Sequence, residues 1–248
     1  MGAVISVNTI SSGISALVLA AVFPIGGRIQ PFRALVRDQD RLLSLSGGVS
    51  IAYVFVSLMP EMARAREAYA TSAAIPVLFQ GMMVYFVALM GFIAYSGLEI
   101  LRARMQAKSG SRGNRTSYYI HVGGISVYVW MVAFILVSRV ETTSLHIVIY
   151  TFAMAAHFLT LDHSLREEHG QLFERSGRYL LAAVCALGWV VGVVLPVPPY
   201  AVALMVAFVS GAIVMNSSIM ELSHRNEERF FFFLFGGVVY GLLLIPLG

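Results

Sequence analysis

Residues Tyr179–Leu222 read YLLAAVCALGWVVGVVLPVPPYAVALMVAFVSGAIVMNSSIMEL. A helix that crosses the hydrocarbon core of a bilayer needs about 20 mostly apolar residues. This stretch supplies two, Tyr179–Val197 and Tyr200–Leu222, parted only by the turn around Pro196, Val197, Pro198 and Pro199. No run alternates polar and apolar residues as an outer-membrane strand does, so a helical bundle is the spanning solution. The same ruler, carried outward, finds six more spans: Ile10–Gly27, Leu42–Met62, Ala73–Leu101, Ser117–Val137, Leu145–Leu165 and Phe230–Leu247. The expected fold is all-α, a polytopic membrane bundle of eight transmembrane helices, and residues 1–248 form one integral membrane domain.

Composition points the same way. The chain is 58% hydrophobic and 12% charged, against roughly 25% charged residues in soluble domains. Its formal charge of +4 is gathered in short blocks between apolar runs. The basic excess therefore reports where the loops face, and the partner it implies is a lipid bilayer, not nucleic acid. Cys185 is the one cysteine, which excludes an intrachain disulfide and a Cys-based zinc motif. No Lys or Arg precedes Arg28, so the first segment reads as a retained span and not as a cleaved signal peptide.

Short cytoplasmic loops hold the excess of Lys and Arg. Of the 17 basic residues, all but Arg64, Arg66 and Arg139 follow spans one, three, five and seven. Both termini are then expected outside, with the longest loop, Arg102–Thr116, in the cytoplasm. Lys108 is the only lysine among those 17 basic residues. That bias toward Arg suits a GC-rich bacterial genome and hence an inner membrane. A retinal photoreceptor is excluded, because its Schiff base needs a lysine inside the membrane.

Polar groups inside a span are costly against lipid and turn toward the bundle interior or a wet cavity. On span two, Ser46, Ser50, Tyr53, Ser57 and Glu61 recur at helical spacing and form one stripe. Span five carries a second stripe of His146, Tyr150, Ala153, His157, Thr160 and Ser164. Span seven places Ser210, Ser217, Glu221 and His224 on one face with Asn216 beside it, and span four does so with Ser117, His121, Gly124 and Tyr128. Elsewhere only Gln80 and Glu99 on span three and the first serines of span one stand out. Four stripes predict one hydrated path, although serine and threonine in membrane helices often bond back to the backbone. The pairs Gly188/Gly192 and Gly237/Gly241 suit close helix packing and leave a homodimer open.

Neutral imidazole is a common ligand of zinc and related metals. His157 lies roughly 18 Å below the outer end of span five, and His121 roughly 6 Å inside the inner end of span four, at about 1.5 Å rise per residue. Glu61 marks the outer end of span two, and Glu221 and His224 the inner end of span seven. Asp162 and His163 point away from His157 on an ideal helix, and Asp162 with Arg166, like His163 with Glu167, has the spacing of an i,i+4 pair. His169 reads as a loop residue.

Ser46-Gly47-Gly48-Val49-Ser50 through Leu58-Met59-Pro60-Glu61 resembles the second span of ZIP-type metal transporters, and Ser210-Gly211-Ala212 through Glu221 resembles that family's penultimate span. The resemblance implies eight spans, outside termini, a long basic cytoplasmic loop after span three, and a path lined by spans two, four, five and seven. It also implies a divalent cation such as Zn2+ as the substrate, held by His121 and His157; His163, Asp162 and Glu221 are further candidate ligands among this chain's own residues. The path would be completed by Glu61, Ser57, Tyr53, Ser50, Tyr128, His146, Thr160, Asn216, Ser217 and His224. In the family an amide or carboxylate closely follows the histidines of spans four and five. Here Val122-Gly123-Gly124 and Phe158-Leu159-Thr160-Leu161 stand there instead. Two other functions compete: an intramembrane zinc hydrolase using His121, His157, Asp162 and His163 against a lipid, and a membrane sensor that has the fold without transport.

Overall fold

The computed structural model describes residues 7–27, 39–60, 62, 63, 66, 82–109, 115–138, 144–222 and 227–247. Among them are eight α-helices and no strand. They are α1 (Val7–Gly26), α2 (Gln39–Tyr53), α3 (Met83–Ser109), α4 (Arg115–Ser138), α5 (Ser144–His169), α6 (Arg178–Val194), α7 (Pro199–Leu222) and α8 (Glu227–Leu244). Six helical segments are long and apolar enough to cross a membrane: α1, α2 with the turn that follows it, α3, α4, α6 with the turn that precedes it, and α7. In α8 the apolar stretch is shorter, Arg229–Leu244.

Around a buried apolar core, many large apolar side chains are exposed and some polar ones are buried. Leu17, Val127, Leu187 and Phe231 are exposed, whereas Ser12, Ser50, His157, Asp162 and Ser217 are buried. An apolar exterior around a partly polar interior suits acyl chains as solvent. The chain is an all-helical membrane bundle.

The closest pairings are α2 with α8, α3 with α7 and α4 with α6, while α1 lies against α5 and α6. Small residues set these distances. A β-carbon at Gly211 would overlap the carbonyl oxygen of Ala88, and one at Gly91 that of Phe208, so α3 and α7 meet backbone to backbone. In α4 and α6, Gly188 and Gly192 sit on the carbonyls of Trp130 and Phe134, as their spacing predicts. On α8, Gly237 of the expected pair lies against Gly48, where a β-carbon would come within 2.8 Å of the Gly237 nitrogen, and Gly236 abuts Leu45; a β-carbon at Gly241 would stand 3.8 Å from Val56, an ordinary contact.

Two helices run well past their expected ends. α3 continues past Leu101 to Ser109, and α5 past Leu165 to His169. The second extension ends at Gly170, whose φ of 50° is the left-handed conformation of a helix cap and whose N–H donates to the Arg166 carbonyl at 2.9 Å. After Tyr53, α2 widens into a π turn, Val54–Leu58, in which the Met59 N–H reaches the Val54 carbonyl. Pro60 follows at once, and its ring and missing N–H disfavour the ordinary hydrogen bond to the turn before it. The stripe on α2 is disturbed there: Ser46, Ser50 and Tyr53 are buried, Ser57 only half-buried.

The four polar faces do turn inward. Tyr53, Tyr128 and Tyr150 are fully buried with His157 and Thr160, and Ser117, His121, Ser210 and Ser217 are buried as well. Several hydroxyls bond their own helix: Ser50 to the Ser46 carbonyl, Thr160 to that of His157, and Ser210 to that of Val206. Tyrosine rings fill much of the space between the faces. Tyr53 meets Tyr150 edge-on at 5.8 Å, and Tyr95 meets Tyr128 at 5.5 Å.

Candidate metal centre

The longer α5 brings new chemistry to one end of the bundle, where α3 and α5 finish and α4 begins. Its last turn presents Glu168 and His169, and the second turn of α4 presents His121. His121 Nδ1 lies 3.0 Å from His169 Nε2 and 3.2 Å from Glu168 Oε2. The three donors fall within 4.8 Å of one another, and both histidines are buried. Nitrogen and oxygen ligands of a tetrahedral zinc stand about 3.3 Å apart when each is ~2.0–2.1 Å from the ion. The cluster therefore fits a divalent cation with small adjustments, and three protein donors leave a fourth position open.

The surroundings support that fit. Glu168 Oε2 is buried without a hydrogen-bond donor, the condition of a ligand oxygen facing a cation. Its other oxygen accepts from Ser164 Oγ at 2.9 Å. Glu99 Oε2 lies 3.9 Å from His121 Nε2, on the opposite edge of that ring. Carboxylates behind a ligating histidine fix its orientation and raise its basicity. Tyr118 stands edge-on to His169 at 5.4 Å and its hydroxyl pairs with Ser176 Oγ at 3.0 Å, which closes one side.

Both donors of α5 lie beyond its apolar stretch, and the field around them favours ligand forms. Burial pushes the Glu168 carboxyl up, but the neighbouring His121, the charge of Arg102 and the hydrogen bond from Ser164 outweigh it and hold the group below its ordinary value. Burial, with His121 and Arg102 adding to it and Glu168 opposing, lowers His169 to about 4. At neutral pH His169 is an unprotonated imidazole, the form that binds metal.

Of the residues read from sequence as ligands, only His121 enters this cluster. His157 lies twelve residues before His169 on the same helix, about 18 Å away along the axis. It is fully buried against Tyr128 at 5.6 Å, and neither ring nitrogen has a hydrogen-bond partner. The Tyr128 hydroxyl, Asn216 Nδ2 and Ser217 Oγ are likewise buried and unpartnered. Asp162 accepts from Arg166 Nε at 2.7 Å and Nη2 at 3.1 Å, so both its oxygens are engaged. His163 faces Glu167 at 3.6 Å. The two i,i+4 pairs thus form as spaced, but the helix continues beyond them. Glu61 and His224 lie outside the described residues, and of His146 and Glu221 only the helical backbone is described.

Glu168 and His169 were hidden by the apolar ruler, which ends the helix at Leu165. The signal was nonetheless present: the stripe through His157, Thr160 and Ser164 reaches Glu168 at its next step of four. His169 is a correction, a buried helical residue where a loop residue was expected.

The chain matches no protein-family model, and no curated protein is a significant match to it.

Proposed function

We propose that this chain is a ZIP-like transporter of a divalent metal cation, with α1 to α8 as eight spans and both termini outside. The observation that carries the reading is the convergence of His121, Glu168 and His169 from two of the four polar-striped helices. On the charge bias of the loops that end of the bundle faces the cytoplasm in this reading, which makes the cluster a binding station at the inner mouth of the path. His157, with its unpartnered nitrogens among buried tyrosines, marks the path deeper in the membrane. A transport site needs ligands that hold a cation and then let it go, and three donors with an open fourth position meet that need.

The test is uptake of zinc, cadmium, iron and manganese into proteoliposomes by wild type, His121→Ala, His169→Ala and His157→Ala. Strong loss in the His121 and His169 variants is expected. Equal uptake by all four proteins, or none by wild type with any metal, overturns the proposal.

The open fourth position also favours a second reading, a zinc hydrolase acting on lipid, since catalytic zinc has three protein ligands and a water. Lipid turnover by zinc-loaded protein without metal flux would select it.

A further inference from the structure

The cluster already contains a cation of the protein's own. Arg102, on α3, places Nε 3.3 Å from Glu168 Oε2, the same oxygen that faces His121. That contact lacks hydrogen-bond geometry, since Glu168 Oε2 has no donor. The hydrogen bonds of Arg102 lie elsewhere: a bidentate pair with Glu99, with Nε at 3.0 Å from Oε2, and Nη1 donating to Gln106 Oε1 at 2.9 Å. Both of those partners are on α3 itself. Arg102 can therefore yield Glu168 to an incoming ion without breaking a hydrogen bond, while Glu99 and Gln106 retain it beside the site.

We infer that Arg102 is a tethered competitor of the transported metal, which neutralises Glu168 when the site is empty and lowers its affinity so that the ion is released. This rests on the transporter reading above. A histidine that ligates a metal is a neutral imidazole, so in the loaded site the charges beside the ion are those of Glu99, Glu168 and Arg102, which sum to one negative charge. A divalent ion makes the site net positive, which favours departure. Without Arg102 the same ion would leave it neutral. A unit charge about 6 Å from a divalent ion changes affinity about tenfold even at the dielectric of water.

Arg102 is a positioning residue and touches no ligand sphere of its own, so the test must separate its charge from a structural role. Full-length protein in detergent is titrated with Cd2+ and Co2+, the cobalt spectrum reporting ligand geometry. Arg102→Gln is expected to bind at least about tenfold more tightly with an unchanged cobalt spectrum. Arg102→Lys restores wild-type affinity. Glu99→Gln, which frees Arg102 to press on Glu168, binds more weakly. In proteoliposomes Arg102→Gln lowers KM and maximal rate together, because release slows.

Wild-type or weaker affinity in Arg102→Gln, while Glu168→Gln and His169→Ala abolish binding, overturns the competitor role and leaves the transport reading standing. No binding by wild type, or wild-type binding by Glu168→Gln and His169→Ala, removes the site and both proposals with it. Should Arg102→Gln aggregate on size exclusion, Glu99→Gln decides: unchanged affinity there overturns the inference.

Discussion

Asp162→Asn separates a ligand role from a structural one. Asp162 is 2% exposed and Arg166 12%, and their pair joins one turn of α5 to the next. Arg166 does more than pair: Nη2 donates to the Phe23 carbonyl at 2.9 Å and Nη1 to Glu174 at 3.2 Å, while its guanidinium lies over the Phe173 ring at 5.6 Å. The end of α1 is thereby fastened to α5 and to the start of the next helical segment. Asparagine preserves the shape of the side chain but removes its charge, leaving Arg166 buried without its closest counter-ion. Breaking a buried pair by removing one partner costs about 3–5 kcal/mol. The surviving contacts to Phe23 and Glu174 place this case at the lower end, about 3 kcal/mol. For a chain of this size that corresponds to a fall in melting midpoint of about 6–12 °C. The assay is thermal unfolding of the purified protein in detergent, with Cd2+ titration well below the midpoint. A lowered midpoint with wild-type metal affinity is expected. A wild-type midpoint with lost metal binding would refute the reasoning and return Asp162 to the ligand sphere.

Three further outcomes follow from the geometry. Gly211→Leu forces a side chain into the backbone of α3 at Ala88 and should cost about 3 kcal/mol or more, read as loss of the monodisperse peak on size exclusion. Gly97→Ala, with nothing within 4 Å, should behave as wild type in the same assay. Gly170→Ala strains the left-handed cap by about 1–2 kcal/mol and loosens the turn that holds Glu168 and His169, so Cd2+ affinity should fall although no ligand is altered; unchanged affinity would show that the cap does not position the donors. Acid should destabilise the metal-free protein. Between pH 6.5 and about 4 the unfolded chain takes up a proton on His169 that the folded chain does not, and the depressed Glu168 loses its contribution as pH falls through its folded value. The melting midpoint should therefore drop from pH 7 to pH 4.5, and more steeply than in His169→Gln.

Much of the architecture was written in local pattern. Each of the eight apolar runs contains a helix among the described residues, and six of those segments are long and apolar enough to cross a membrane, because run length and apolar character are one-dimensional properties that a bilayer reads directly. The phase of the polar stripes was equally legible, since a helix converts spacing into a face, and Ser50, Tyr128, Tyr150, His157 and Ser210 are all buried. The glycines of α6 announced their contact with α4 for the same reason.

What spacing could not decide was which groups from different helices share a point in space. His121 meets His169 across 48 residues of sequence and Glu99 across 22, whereas His157, on the same stripe as Glu168, stands apart from that cluster. The composition of α5 suggested that its helix stops where the hydrocarbon does. Its actual end was set by a glycine able to adopt positive φ and by a carboxylate, Glu168, that found Arg102 and His121 on neighbouring helices. Which elements exist is fixed by solvent and by neighbours along the chain. The site is fixed by helix ends meeting at angles and heights that depend on every packed contact between them, and only the folded bundle contains that information.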